Sequence, residues 1–294
     1  MDDDTRDKYV EAGRIAREAR ELAVEIASPG TELVNIAEKA EEFIREEGAE
    51  PAFPVNLSLN DHAAHYTPSR SDDTVIEEED LLNIDVGAHV DGYIGDTAVT
   101  VDPSGENQEL VEASEDALDA ALDIIEPGVS LGDIGAAIQE AIDSYGFSPV
   151  RNLSGHGLGH YEQHTGKTIP NIDTGSGKTL EEGEAVAIEP FATDGKGKVK
   201  DGGPGNIYRL DNENARGRTG RKILGEVKNR FRGLPFTSRW IESVPAARLK
   251  TAMSNLVRSG NLHSYDILRE AGEGLVSQKE HTVIVGEDPT VTTR

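Results

Sequence analysis

The sequence predicts an α+β protein made by duplication, with a central antiparallel sheet beneath two pairs of helices. Two observations carry this. The first is an internal repeat: Pro29-Gly30-x-x-Leu33-x-x-Ile36 recurs 98 residues later as Pro127-Gly128-x-x-Leu131-x-x-Ile134. The match runs on through Glu42/Glu140 and Ile44/Ile142, and upstream through Ala19/Ala117, Ala23/Ala121 and Ile26/Ile124. The second is a stretch from Leu81 to Thr97 that reads as two strands joined at Asp91-Gly92, a dipeptide that favours a tight hairpin turn.

Taken in order, each repeat is a helix, a Pro-Gly break, a second amphipathic helix and strand-like sequence. Two such halves related by a pseudo-two-fold bury a sheet under their helices, and a site at the seam draws side chains from both. In the hairpin, Asp91 and Gly92 as the two turn residues set Asp85 opposite Ala98 and Asp96 opposite Gly87. Strand side chains alternate, so Asp85 and Asp96 share a face as diagonal neighbours, roughly 7–8 Å apart at the backbone. Two carboxylates aimed into one apolar-flanked spot repel unless a cation lies between them. The hairpin therefore reads as half of a metal site.

The second half offers partners for it. Ser154-Gly155-His156-Gly157-Leu158-Gly159-His160 reads as a glycine-punctuated loop presenting histidine without a rigid helix. Ala185 to Ile188 is an apolar strand closing on Glu189, and Gly274 to Val285 reads as one further strand that contains Glu280. Each acid sits in an apolar, β-prone segment where a bare carboxylate is expensive. His156, His160 and His164 lie four apart, but the intervening glycines argue against one helical metal-binding face. His160 is expected to be structural, and His62, His89, His263 and His281 to be packed or surface imidazoles. Between Glu189 and Glu280 lie about 90 residues, too many for a simple connection. Ile223 to Phe231 and Pro245 to Arg258 look helical, followed by a β-like stretch ending near Tyr265.

Composition sets the limits. The 294 residues suffice for one large domain carrying an insertion. Without cysteine there is no disulfide framework and no thiolate ligand, so a metal site must use oxygen and nitrogen. No signal peptide and no membrane-spanning run is visible, and a cytoplasmic protein is expected. Fifty-five acids against 29 basic residues give a net charge of −26, and lysine is scarce beside arginine, 11 against 18. That balance points to adaptation to molar salt, where self-repulsion is screened. Residues 206–250 have the opposite sign, 11 basic side chains against four acids. Such a basic stretch either pairs with the acidic body or forms a docking face for ribosomal RNA.

These segments together resemble methionine aminopeptidase of type II, the archaeal and eukaryotic form, along nearly the whole chain. The resemblance rests on Phe53-Pro54-Val55-Asn56-Leu57-Ser58, Ala63-Ala64-His65-Tyr66-Thr67-Pro68, Ile84-Asp85-Val86-Gly87 and Gly95-Asp96. It continues in Gly155-His156-Gly157-Leu158-Gly159, His164-Thr165-Gly166-Lys167-Thr168 and Ile188-Glu189-Pro190-Phe191, then Leu234-Pro235-Phe236, Arg239-Trp240 and Glu280-His281-Thr282. It implies the duplicated pita-bread (creatinase/aminopeptidase-like) fold with a helical, winged-helix-like insertion. The catalytic domain then spans 1–194 and 273–294, with the type II insertion at 195–272. It implies a two-metal site with ligands Asp85, Asp96, His156, Glu189 and Glu280. It further implies His65, His164 and Glu189 as catalytic residues, and a substrate pocket of His65, His164, Phe53 and Tyr265.

The five ligands suit two divalent ions, Co, Mn, Fe or Zn, because four carboxylates bring a charge of −4 and the ligands do not choose among these metals. Two such metals can hold a bridging hydroxide that is nucleophilic near neutral pH, with Glu189 as proton shuttle. The function implied is removal of initiator methionine from nascent polypeptide N-termini when the second residue is small and uncharged. Ribosome association through the basic insertion, a monomeric state and no membrane contact are expected with it. Proline-specific peptidases and non-catalytic binding modules share the fold; the first usually carry a large N-terminal domain and the second typically lose metal ligands.

Overall fold

A computed structural model describes residues 1–294. Helices α1 (Asp3–Ile26) and α2 (Leu33–Glu46) form the first repeat, and α3 (Gln108–Leu122) and α4 (Leu131–Ser144) the second. The Pro-Gly break works alike in both. Gly30 and Gly128 adopt φ of +89° and +95°, open to glycine and strained for other residues. Their N–H groups donate to Ile76 O at 2.7 Å and Leu180 O at 2.8 Å. The next residues form matching single β-bridges, Glu32 with Val75 and Ser130 with Thr179.

Each helix pair covers its own sheet. Along α1, Ala12, Ile15, Ala16, Ala19 and Ala23 are buried at helical spacing, and the small residues let the helix lie close on the hairpin. The first core joins Ile15, Ala16, Ala19 and Ala23 to Leu33, Ile36 and Ile44 of α2 and to Leu57, Ile84 and Val86 of the sheet. The second joins Leu118, Ile134, Ile138 and Ile142 to Val186, Ile188 and Val283. Each fully buried Ile or Leu contributes on the order of 1.5–3 kcal/mol, so these cores supply much of the driving force.

The hairpin strands Leu82–Val90 and Tyr93–Val101 pair as expected, Asp85 with Ala98 and Gly87 with Asp96. Asp91 (φ 50°) and Gly92 (φ 89°) both take positive φ, as a type I′ hairpin turn requires. The halves meet through the backbone: Glu280 N–H donates to Ala98 O at 3.1 Å and Ala98 N–H to Glu280 O at 3.3 Å. The Thr282 hydroxyl accepts the Asp96 N–H at 2.8 Å, and the Thr100 hydroxyl accepts the Gln278 N–H at 2.8 Å.

Within the second half, between the paired strands Phe191–Thr193 and Val276–Gln278, Val199–Leu210 and Leu262–Glu270 form a long antiparallel ribbon. Its second strand also pairs with His62–Ala64, which fastens it to the first half. Helices α5 (Arg218–Phe231) and α6 (Ala246–Arg258) pack on this ribbon around their own core of Ile223, Val227, Phe231, Phe236, Trp240 and Leu256. No helix is long and apolar enough to cross a membrane.

Three local expectations are corrected. Ser154–Leu158 is a strand paired on both sides, not a loop. Its glycines serve close approach, since a Cβ on Gly155 would fall 2.3 Å from Ala187 O. The ribbon strand continues to Glu270 rather than ending near Tyr265, because Val199–Leu210 offers it backbone partners along that length. The stretch from 274 to 285 is two strands, Val276–Gln278 and His281–Ile284. The first pairs with Phe191–Thr193 and the second with Ala185–Ile188. The chain changes sheet at Lys279-Glu280, as its partner does at Glu189-Pro190.

Candidate metal centre

The sheet change explains how two glutamates become available. Glu189 and Glu280 stand where neither long ladder continues, so their side chains turn toward the hairpin rather than into a core. One pocket is lined by Asp85, Asp96, His156, Glu189 and Glu280, together with His65, His164, Phe53 and Tyr265. Every residue expected at the site is thus brought to one place. Asp96, His156 and Glu280 are buried with ligand atoms within 4.8 Å of one another. His156 Nε2 lies 3.7 Å from both Asp96 Oδ2 and Glu189 Oε1.

The electrostatics are those of a cation site. Burial, and then the neighbouring carboxylates, push Asp85, Glu189 and Glu280 well above the usual carboxylate range. Burial raises Asp96 to about 7. Burial holds His156 down to about 3, aided by His164, so its imidazole is neutral and free to act as a ligand. Asp85 Oδ1, Asp96 Oδ1 and His156 Nδ1 are buried without a hydrogen-bond partner. Buried polar atoms are normally satisfied, and two carboxylate oxygens left unpaired beside the His156 Nε2 fit divalent cations. The donor set is oxygen with one borderline nitrogen, which leaves the choice of metal open.

Around the carboxylates lies a wall for a side chain. Phe53 rests on Gly87 of the hairpin, where a Cβ would fall 2.1 Å from its ring. Tyr265 meets His65 edge-on with ring centroids 5.4 Å apart, and His164 meets His156 at 4.2 Å. His65 Nδ1 faces Asp266 O at 3.2 Å. A neutral ring must donate there, leaving Nε2 as an acceptor. Burial, with His164 and His263 nearby, lowers His65 to about 4, and burial followed by Arg209 lowers His164. Both imidazoles are neutral at physiological pH.

The other histidines divide as expected. His160 Nε2 contacts Asp91 O at 2.9 Å and its ring packs on Tyr93 and Tyr161, which braces the hairpin turn. His89 Nδ1 accepts the Gly92 N–H at 3.2 Å, and His281 Nδ1 contacts the Thr293 hydroxyl at 2.8 Å. Three polar residues that sequence reasoning passed over also line the pocket: Asn56, Gln163 and Gln278. Asn56 Nδ2 donates to Asp85 Oδ2 at 3.3 Å, and Gln278 Nε2 to Glu189 Oε2 at 3.4 Å. Their signal was present: an amide within Val55-Asn56-Leu57 and another closing Val276-Ser277-Gln278 are polar groups in apolar strands, where each needs a partner.

Four carboxylates and a neutral imidazole converging beside an apolar-walled pocket, at the seam of a duplicated fold, define a metalloenzyme site. Residues 7–229 match the family described as metallopeptidase family M24. Over 296 residues the chain is 48% identical to the methionine aminopeptidase of Archaeoglobus fulgidus, covering 100% of each. It is 46% identical to that of Methanocaldococcus jannaschii over 283 residues, 96% of each. The chain belongs to the methionine aminopeptidases of metallopeptidase family M24. In fold it is similar to the methionine aminopeptidase from Thermotoga maritima, with a TM-score of 0.73 at 24% identity, covering 100% of this chain and 98% of that one. The duplicated pita-bread fold is common to them.

Proposed function

We propose that this chain removes the N-terminal methionine from polypeptides by metal-dependent hydrolysis. The observation that carries the reading is the pocket in which the metal-seeking carboxylates border Phe53, Tyr265, His65 and His164. Asp85, Asp96, His156, Glu189 and Glu280 would hold two divalent cations. When bound, these supply Lewis acidity that polarises a peptide carbonyl and makes water nucleophilic near neutral pH. Glu189, held near Gln278, takes the proton of the attacking water and delivers it to the departing amide nitrogen. His65 Nε2 accepts a hydrogen bond from the substrate backbone, and His164 faces the same peptide bond. The unbranched, polarisable methionine side chain suits the slot between Phe53 and Tyr265. We assign second residues that are small and uncharged as the preferred neighbours.

Turnover of Met-Ala-Ser, Lys-Ala-Ser and Ala-Pro peptides tests this. Rapid cleavage of Met-Ala-Ser alone is expected; equal rates on Met-Ala-Ser and Lys-Ala-Ser would remove the pocket assignment.

The region 195–272, built around its own core, is proposed as a distinct inserted unit. Only two of its basic side chains form ion pairs with the body. Arg209, Lys228 and Arg230 pair with Asp211, Glu213 and Glu226 inside the insertion, while Arg239 and Arg269 reach Glu41 and Asp61 of the body. Arg216, Arg218 and Arg248 instead line an open cleft of about 730 Å³ between α5 and α6. This favours the docking reading, with ribosomal RNA near emerging nascent chains as the partner, over an electrostatic clasp. Reversing the charge of Arg216, Arg218 and Arg221 together should reduce co-sedimentation with ribosomes, with peptide turnover and melting temperature unchanged. A falling melting temperature without any prior co-sedimentation would restore the clasp.

The net charge of −26 supports adaptation to high salt, and a cytoplasmic monomer is proposed with it. Melting temperature should rise steeply as KCl goes from 0.1 M to 1 M, where the screening length falls from about 10 Å to about 3 Å. A flat profile would reject this reading.

A further inference from the structure

Several motif segments play no part in the centre itself: Pro54-Val55, Thr67-Pro68 and Arg239-Trp240. Val55, Arg239 and Trp240 bond directly to Glu41, a residue of α2 with 1% exposure, and Thr67-Pro68 joins them through Arg239. Arg239, 4% exposed, grips it with two parallel bonds, Nη1 to Oε2 and Nη2 to Oε1, each 2.7 Å. Trp240 Nε1 donates to Oε2 at 2.7 Å and the Val55 N–H to Oε1 at 3.3 Å. The same guanidinium reaches Pro68 O at 2.8 Å through Nε and the Thr67 hydroxyl at 3.1 Å through Nη2. Asn206 Nδ2 adds bonds to Pro68 O at 3.1 Å and to the Thr237 hydroxyl at 2.8 Å.

Every one of these contacts lies a few residues from a wall of the pocket. Val55 sits between Phe53 and Asn56, and Thr67 follows His65 by two. Asn206 precedes Ile207, and Arg239 follows Pro235 by four; Ile207 and Pro235 also line the pocket. A buried ion pair is weak evidence for stability, because taking both charges out of water offsets their attraction. A bidentate guanidinium–carboxylate pair is nonetheless directional and fixes separate segments relative to one another. Here it joins α2, two loops of the first half and the insertion, which are far apart in sequence and share no strand ladder at this point.

We infer that Glu41 is a positioning residue: through Arg239 and Trp240 it latches the insertion to the first half and holds the Phe53, His65 and Pro235 walls in register, so setting selectivity for the methionine side chain. It touches neither substrate nor metal. The inference rests on the reading of the pocket as a methionine site.

The test compares the wild-type chain with Arg239→Lys and with the double variant Glu41→Gln/Arg239→Met. The double variant leaves no bare buried charge and so keeps the fold. Kinetics on Met-Ala-Ser and Leu-Ala-Ser are read beside metal content by elemental analysis and melting temperature. The ratio of kcat/KM for Met over Leu is expected to fall about tenfold or more in each variant, mainly through KM, since small misplacements cost that much. Metal content should match wild type, and kcat should stay within about threefold. Folded variants that keep the wild-type ratio would overturn the latch, even with a lowered melting temperature. A wild-type chain that fails to cleave Met-Ala-Ser would instead overturn the functional reading on which the latch depends.

Discussion

Replacing Asp96 by Asn is expected to lower both metal affinity and kcat/KM by at least about 100-fold. Asp96 is buried at the centre of the cluster, grouped with His156 and Glu280 and 3.7 Å from the His156 ring. Altering even an outer partner of a metal site typically costs about 10–100-fold, and this side chain is proposed as a ligand itself. Asparagine keeps the shape but loses the charge, and its NH₂ can turn a donor toward the cation. The metal-free variant should be no less stable than the metal-free parent, because a carboxylate that repels Asp85, Glu189 and Glu280 has been neutralised. Titration calorimetry and elemental analysis read the first effect, thermal melting the second. Full metal loading with normal turnover would sink the assignment of Asp96.

The second large effect is a pH dependence of metal-induced stabilisation, which should grow between pH 5 and pH 8. Asp96 moves from 3.8 to about 7 on folding, and Asp85, Glu189 and Glu280 are also raised. A group raised in the folded state contributes stability that is complete below its unfolded pKa and lost as pH rises through the folded one. The metal-free protein therefore loses this contribution from about pH 4 upward. Bound cations favour the charged carboxylates and reverse that loss, with release of protons on binding.

Histidines act in the opposite sense. His65 and His89 are lowered to about 4 and His281 to about 3, so their contribution is present above pH 6.5 and lost as pH falls. None of these three is assigned as a ligand, and their effect cancels between metal-loaded and metal-free samples. The difference in melting temperature at fixed free metal is the measurement. A difference that does not change with pH would show that the carboxylates are not what the metal displaces protons from.

The site was legible where the chemistry is local or repeated. Asp91-Gly92 announces its turn because both residues tolerate positive φ, and a turn of known length sets a register. From that register alone Asp85 and Asp96 fall on one face. The repeat was legible because Pro29-Gly30 and Pro127-Gly128 break their helices for the same backbone reason. His156 could be named, but its setting could not: glycines that look like a loop are there to let Ala187 approach a strand edge. The basic insertion was readable as charge, whereas which of its arginines meet the acidic body, Arg239 and Arg269, was not, because charge totals carry no distances.

By itself, then, the sequence determined the hairpin, the duplicated helix pairs and the set of carboxylates and histidines, each through turn chemistry, periodicity or motif. Only the tertiary structure decided how the second strand pair changes sheet at Glu189 and Glu280, since strand exchange depends on which distant edge is free to pair. It also decided that Gln278 and Asn56 lie against the carboxylates. Glu41 is the extreme case. It is one of the chain's 55 acids, on an amphipathic helix, and nothing in the sequence marks it. Its role exists only because Arg239, nearly 200 residues away, is buried opposite it, and a buried charge takes its meaning from its partner rather than its neighbours in sequence.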